Sequence, residues 1–160
     1  MSTTTETKSS VASEELRSLY NSDFAIWVEE TAKHLQNRNF EHIDLENLIE
    51  EVLDLSRRDQ KKLKSLLKRL FEHLLKLRYW QSEVTRNQSH WKREILNFRQ
   101  QIKDELEDSP SLRPFLKKVF DECYQDGRKL AATATDLPLD IFPETAIASL
   151  DQILDENWFL

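Results

Sequence analysis

The length, composition and charge of the chain already exclude several classes of protein. Its 160 residues include 29 acidic and 23 basic side chains, a formal net charge of −6, and 39% are hydrophobic, with 8 Phe, 4 Trp and 3 Tyr. A chain of this size and aromatic content can bury its own core. One Gly and four Pro exclude glycine-rich phosphate loops, dinucleotide-binding folds and tight β-hairpins. The composition therefore indicates an all-α protein.

The N-terminal sequence MSTTTETKSSVASEE consists of Ser, Thr and charged residues. It has no apolar segment typical of a signal peptide, and no window approaches the roughly 18 apolar residues that a membrane span requires. Cys123 is the only cysteine, so it cannot form an internal disulfide. A chain without disulfides is typical of a reducing compartment. We expect a cytoplasmic protein without a membrane partner, with residues 1–13 as a disordered tail and residues 14–160 as one helical domain.

Two amphipathic helices are predicted after the tail. The first begins at Asp23, ends near QNRN (36–39) and should bury Phe24, Trp27, Val28, Thr31, Ala32 and Leu35. The second follows Asp44, a plausible N-cap, and its predicted buried face consists of Leu45, Leu48, Ile49, Val52 and Leu55.

Four further helices complete the prediction. Ser56 and Asp59 resemble a capping box, which favours a new helix from Ser56 to about Trp80 with an inner stripe of Leu63, Leu66, Leu67, Leu70, Leu74, Leu77 and Trp80. The polar segment EVTRNQS (83–89) precedes a fourth helix from Trp91, and Pro114 marks the start of a fifth. Ser149 and Gln152 predict a capping box for a short last helix.

Gly127 lies on the apolar face of the fifth helix, where close helix contact explains it better than a cap. The whole pattern predicts a compact helical bundle of about five main helices plus a short C-terminal helix.

Several segments resemble a known family. In order along the chain they are YNSDFAIW (20–27), FEHIDLENLIEEV (40–52), HLLKLRYW (73–80), SHWKREI (89–95), LEDSPSLRP (106–114), and FPET (142–145) followed by LDQILDENWF (150–159). These segments are similar to the bacterial, largely cyanobacterial proteins described as domain of unknown function twenty-nine. The resemblance implies a compact helical domain, and it brings no catalytic residue, cofactor or activity.

The middle of the chain is strongly basic. From Ser56 to Lys103 there are 14 Lys and Arg against 4 Asp and Glu. One hypothesis is a nucleic-acid-binding patch that includes Arg57, Arg58, Lys61, Lys62 and Arg93. The alternative is that these residues pair with acidic helices of the same protein. The negative net charge and the lack of a recognised binding motif favour internal pairing.

His73 is the candidate centre of a polar site. Its predicted position at the edge of the buried stripe would allow Glu46 or Glu50, on an antiparallel neighbouring helix, to hold the imidazole. Such an arrangement could serve as a general base or part of a metal site, and the alternative is a structural histidine. The Glu-x-x-His spacing of di-iron bundles is absent. No catalytic residue, cofactor or metal ligand is therefore predicted.

These features favour a non-enzymatic protein-interaction or assembly module. A partner protein or self-association is expected, and a homodimer could form through Trp158, Phe159 and Leu160 or through the outer side of the long helix. A nucleic-acid-associated accessory protein is the alternative hypothesis, and a metal-binding or hydrolytic protein centred on His73 is the third.

Overall fold

The computed structural model describes residues 3–160, with side chains from Ser13 onward. Over these residues the chain forms six α-helices and no strand, which confirms the predicted all-α fold of five main helices and a short C-terminal one. The α-helices are α1 Thr3–Ser22, α2 Phe24–Gln36, α3 Leu45–Tyr79, α4 Gln81–Asp108, α5 Arg113–Thr135 and α6 Leu150–Leu154, and single 3-10 turns occupy Phe40–His42, Pro110–Leu112 and Leu139–Ile141.

The predicted disordered tail is residues 1–13, and most of their side chains lie outside the described part of the structure. The disorder of this segment therefore stays a prediction. None of the described helices is both long and apolar enough to cross a membrane. The chain divides into two compact units, Met1–Arg57 and Arg58–Leu160. The single domain predicted over residues 14–160 also remains a prediction.

The predicted helix boundary at Ser56 is wrong, because α3 runs without interruption from Leu45 to Tyr79. No Gly or Pro occurs in this segment, and most of its residues are strong helix formers. Ending one helix and nucleating another costs more free energy than adding residues to an existing helix. Ser56 and Asp59 therefore lie inside α3 and do not begin a new helix.

The start of the fourth predicted helix is also corrected. Helix α4 begins at Gln81 and includes EVTRNQS, which was predicted to lie outside it. Within this segment the side-chain amide of Asn87 donates to the carbonyl oxygen of Glu83 at 3.2 Å and to its carboxylate at 3.0 Å. Polar residues break the apolar period without breaking the helix, because an exposed turn of helix needs no apolar partner.

The first unit has a small core. Asp23 caps α2 by accepting from the backbone N–H of Ile26 at 3.2 Å, which confirms the predicted start of this helix. Among its residues from Ser13 onward, those that are buried are Leu16, Trp27, Thr31, Ile43 and Asp44. With so few apolar residues buried, the faces that were predicted to form the core of these helices are left largely in contact with solvent.

The second unit holds the main hydrophobic core. The predicted inner stripe of α3 is buried from Leu63 to Leu74, and it packs with residues of α4 and α5 such as Ile95, Ile102 and Leu116. Gly127 of α5 lies against α3, so the predicted close contact is confirmed. The predicted capping box of α6 is also present, since the Ser149 hydroxyl accepts from the N–H of Gln152.

Candidate functional site

An exposed apolar groove lies in the first unit, between α2 and the beginning of α3. Its volume is about 270 Å³. The predicted burial of most of its residues is wrong: Val28 and Leu35 of α2 are 43% and 42% exposed, and Val52 and Leu55 of α3 are 58% and 59% exposed. The large aliphatic and phenyl side chains that line the groove are those of Phe24, Val28, Leu35, Leu48, Val52 and Leu55.

Helical periodicity brings these side chains to one side of each helix. Phe24 and Val28 are four residues apart in α2, and Leu48, Val52 and Leu55 follow the i, i+4, i+7 spacing in α3. Both walls therefore present a continuous apolar stripe. A trough between two such stripes has the form that receives the apolar face of a third helix.

The buried carboxylate of Asp44 holds the two walls of the groove together. The indole Nε1 of Trp27 in α2 donates to Asp44 Oδ2 at 3.3 Å, and the side-chain amide of Asn47 in α3 donates to the same oxygen at 2.6 Å. Arg17 Nε lies 3.6 Å from Asp44 Oδ1. Since a buried carboxylate is stable only with such partners, α2 and the start of α3 are held in one arrangement.

An aromatic cluster supports one end of the groove. Phe24 and Trp27 are stacked with ring centroids 5.6 Å apart, and the Tyr20 ring meets both edge-on at 5.9 and 5.1 Å. The Tyr20 hydroxyl donates to Glu51 Oε1 at 2.8 Å. This hydrogen bond, more than burial, raises the pKa of Tyr20. The cluster pre-organises the Phe24 ring as part of the groove wall.

The groove wall also contains an unpaired hydroxyl. Thr31 lines the groove and is buried, and its Oγ1 has no hydrogen-bond partner among the residues that the structure describes. A buried hydroxyl without a partner costs free energy. The Thr31 hydroxyl oxygen has almost no accessible surface, so a molecule in the groove would not reach it unless the wall moved.

Charge is distributed unevenly between the two units. Residues 1–57 contain 12 acidic and 5 basic side chains, a net charge of −7, whereas residues 58–160 contain 17 acidic and 18 basic ones, a net charge of +1. Three of the basic residues in the first unit, Arg17, Lys33 and Arg57, already form ion pairs with carboxylates of that unit. The groove therefore belongs to the more acidic of the two units.

The predicted polar site is not assembled as expected. Glu46 and Glu50 belong to the first unit and His73 to the second, and all three lie on α3. The prediction of an antiparallel helix pair, which was to bring Glu46 or Glu50 to His73, is therefore wrong. Glu46 Oε2 lies instead 2.9 Å from Arg17 Nη2, and Glu50 Oε2 lies 3.3 Å from Arg57 Nη1.

The surroundings of His73 favour a structural role. Its Nδ1 lies 2.9 Å from the carbonyl oxygen of Arg69, one turn earlier in α3, and its ring meets Phe98 edge-on at 5.2 Å. Burial, followed by the charge of Lys76, lowers the pKa of His73, which favours the neutral ring. Across the described residues, no group of three or more His, Cys, Asp and Glu side chains is placed to hold a metal ion.

Many of the basic residues are paired with acids of their own unit. In the first unit Arg57 Nη1 lies 2.7 Å from Asp54. In the second, Lys62 pairs with Glu105, and Lys64 with Glu122 at 2.7 Å. Of the other members of the predicted patch, Arg58, Lys61 and Arg93 are exposed. These pairs favour the hypothesis of internal pairing over an open patch.

The predicted C-terminal dimer surface is largely used inside the second unit. Trp158 and Leu160 are partly buried and pack against the core of this unit. Phe159 is 38% exposed, and its ring lies under the side chains of Lys92 and Arg99, at 5.5 and 5.2 Å. Little apolar surface is left there for a partner, compared with the groove.

Sequence reasoning found the residues of the groove but assigned them to the core. The spacing of an amphipathic stripe shows that it needs an apolar partner and does not show where that partner is. The available signal was charge, because the two helices with the stripes lie in the most acidic part of the chain.

The described residues define an all-helical protein in which the first unit has an exposed apolar groove and the second unit has a well-packed core. A family model described as Domain of unknown function DUF29 matches residues 19–159. The chain therefore belongs to this family, as the resemblance of its segments predicted. No curated protein and no solved structure matches the chain.

Proposed function

We propose that the protein is a protein-interaction module and that the groove between α2 and the start of α3 is its docking surface. The observation that carries this proposal is the exposure of the groove. Five of its residues, Phe24, Val28, Leu35, Val52 and Leu55, are among the large hydrophobic side chains found exposed in the described part. A group of exposed apolar side chains in one groove is typical of a surface that binds another molecule.

The arrangement around the groove supports the same function. Its walls are held by a buried hydrogen-bond network at Asp44, so the apolar side chains are presented by ordered helices. A surface that is ordered before binding loses less conformational entropy when a partner docks. Exposed apolar residues on such a scaffold are suited to recognising another polypeptide.

The alternative of nucleic-acid binding has less support. Phosphate binding requires basic side chains that are available to release counterions. Arg57 and Lys62 of the predicted patch are instead in ion pairs with Asp54 and Glu105. The third hypothesis, a metal or hydrolytic site, has no cluster of ligands to support it in the described part of the chain.

A matched pair of variants tests the proposed function. Val52→Asn places an amide in the groove, and Leu96→Asn makes the same kind of change at an exposed position of α4, which is 47% exposed. Wild-type protein and both variants are compared by sedimentation over a range of concentrations and by affinity capture from host lysate. We expect self-association or partner capture to be lost only in Val52→Asn.

Equal behaviour of all three proteins would contradict the proposal. Because both replaced side chains are exposed in the structure, neither change should unfold the chain. Thermal unfolding of each variant checks this point before the binding comparison.

A further inference from the structure

Resting on the proposed function, we infer that the groove binds a cationic amphipathic helix of another polypeptide. The shape of the groove supports this partner. The two walls carry apolar side chains at helical spacing, Phe24 and Val28 on α2 and Leu48, Val52 and Leu55 on α3. A helix with apolar residues at i, i+3 or i+4, and i+7 would fill this trough and complete a three-helix contact.

Charge supports the same partner. Glu51 lines the groove itself, and the unit as a whole has a net charge of −7. A partner helix with Lys or Arg beside its apolar stripe would be attracted to this acidic unit, and such complementarity accelerates association and selects the partner.

The same charge argues against a second copy of this chain as the occupant. Two copies that met through their grooves would bring two acidic surfaces together, each with a net charge of −7. Two basic residues of this unit, Lys33 and Arg57, are already paired with its own carboxylates, Glu30 and Asp54. Like-charge contact across an interface costs free energy and suppresses such a pairing.

The test uses three labelled peptides of about 18 residues, long enough for five turns of helix. The first has Leu at helical spacing and Lys elsewhere, the second has the same Leu positions and Glu in place of Lys, and the third is a scrambled version of the first. Binding to the full-length chain is followed by fluorescence anisotropy at low and high salt. Circular dichroism reports whether the peptide becomes helical.

We expect the Leu/Lys peptide to bind as a helix, and at least about tenfold more tightly than its Glu twin at low salt, with the difference shrinking when salt screens the charges. The scrambled peptide should bind weakly, since its Leu residues no longer share one face. Val52→Asn should weaken binding of the Leu/Lys peptide by about tenfold or more, and Leu96→Asn should leave it unchanged.

The failures of the two proposals are distinguishable. Equal binding of the Glu twin, or equal binding of the scrambled peptide, would overturn the cationic helix as partner. Self-association that only Val52→Asn abolishes, with no peptide bound, would make a second copy the occupant, so this inference would fail while the proposed function stands. If no peptide binds and Val52→Asn behaves as wild type in every assay, both fail.

Discussion

Gly127 shows how a single missing side chain sets the distance between two helices. A Cβ at this position would lie 2.6 Å from the Cβ of Phe71 and 2.8 Å from the carbonyl oxygen of Lys68. Since one of these atoms belongs to the backbone of α3, the helices must move apart to admit it. The contact could be predicted from sequence, because the only Gly of the chain lies on an apolar helix face.

Gly127→Ala should therefore destabilise the protein, by about 1–3 kcal/mol, as overpacking does, although Ala is the better helix former by about 1 kcal/mol. Urea unfolding measures the change in the free energy of unfolding. Thr133→Ala, at an exposed position of the same helix, is the control and should have little effect. A Gly127→Ala variant as stable as wild type would show that α3 and α5 are not packed this closely.

Cys123 is a second residue whose behaviour follows from its surroundings. Its side chain is fully buried, and burial raises the pKa of the thiol to about 11. The thiolate is the reactive form, so we expect Cys123 in the folded chain to react with a disulfide reagent at pH 8 at least about 100-fold more slowly than in urea. Equal rates in the two states would contradict the burial.

The same shift in pKa predicts how stability depends on pH. A thiol in the unfolded chain ionises above about pH 8.5, while the buried thiol stays protonated up to about pH 11. The unfolded state therefore gains stability first, and the contribution of Cys123 to folding is lost as the pH rises through this window. Cys123→Ala should reduce this part of the alkaline loss of stability, as measured by urea unfolding at several pH values.

At the scale of elements, the buried Arg99 of α4 fastens the C-terminal segment. Its guanidinium donates to the carbonyl oxygens of Ile153 at 2.7 Å and Trp158 at 2.6 Å, and more distantly to that of Glu156 at 3.5 Å. Arg99 is completely buried. The sequence did not predict this role, because an Arg among many in a basic helix has no pattern that marks it as buried.

Arg99→Met should destabilise the protein by about 3 kcal/mol or more, since it removes charged hydrogen bonds and leaves buried carbonyl oxygens unpaired. It should also speed the removal of C-terminal residues by carboxypeptidase. Arg93→Met, at an exposed position of the same helix, is the matched control. If both variants unfold and digest as wild type does, Arg99 does not hold the C-terminal segment.

Most helices could be predicted from the sequence, but α1 was not, and helix boundaries were predicted less well. The start of α2 at Asp23 and the cap at Ser149 were predicted, and each of these side chains accepts a hydrogen bond from the backbone N–H three residues later. Ser56 has the same local pattern without acting as a cap, because helix formers on both sides allow α3 to continue. Local chemistry permits a boundary, and only the surrounding helix decides whether one occurs.

At the scale of the whole molecule, two features of the structure correspond to the division of charge along the chain. The basic helices of the second unit lie beside carboxylates, as in the pairs Lys64 with Glu122 and Lys68 with Asp126, both under 3 Å. The net negative charge of the chain is left in the first unit. The charge pattern of the sequence predicted the division and favoured internal pairing, but it did not identify the groove.

These pairs predict that nucleic acid does not bind. Labelled duplex and single-stranded DNA and RNA should show no saturable change in anisotropy at about 150 mM salt, because phosphates would have to displace carboxylates already in place. Reversing Arg57, Arg58, Lys61 and Lys62 to Glu should change stability only modestly, since exposed pairs are worth about 0.2–1 kcal/mol each. Binding that falls steeply with salt and is lost on reversal would contradict this prediction.

The most direct test of the central claim is site-specific photo-cross-linking in the native host. A photoreactive amino acid replaces Val52 in the groove or, as the control, Leu96 on the second unit. We expect the chain to form a cross-link to another polypeptide from position 52 and none from position 96. Cross-links from position 96 alone, or from neither position, would contradict a docking function for the groove.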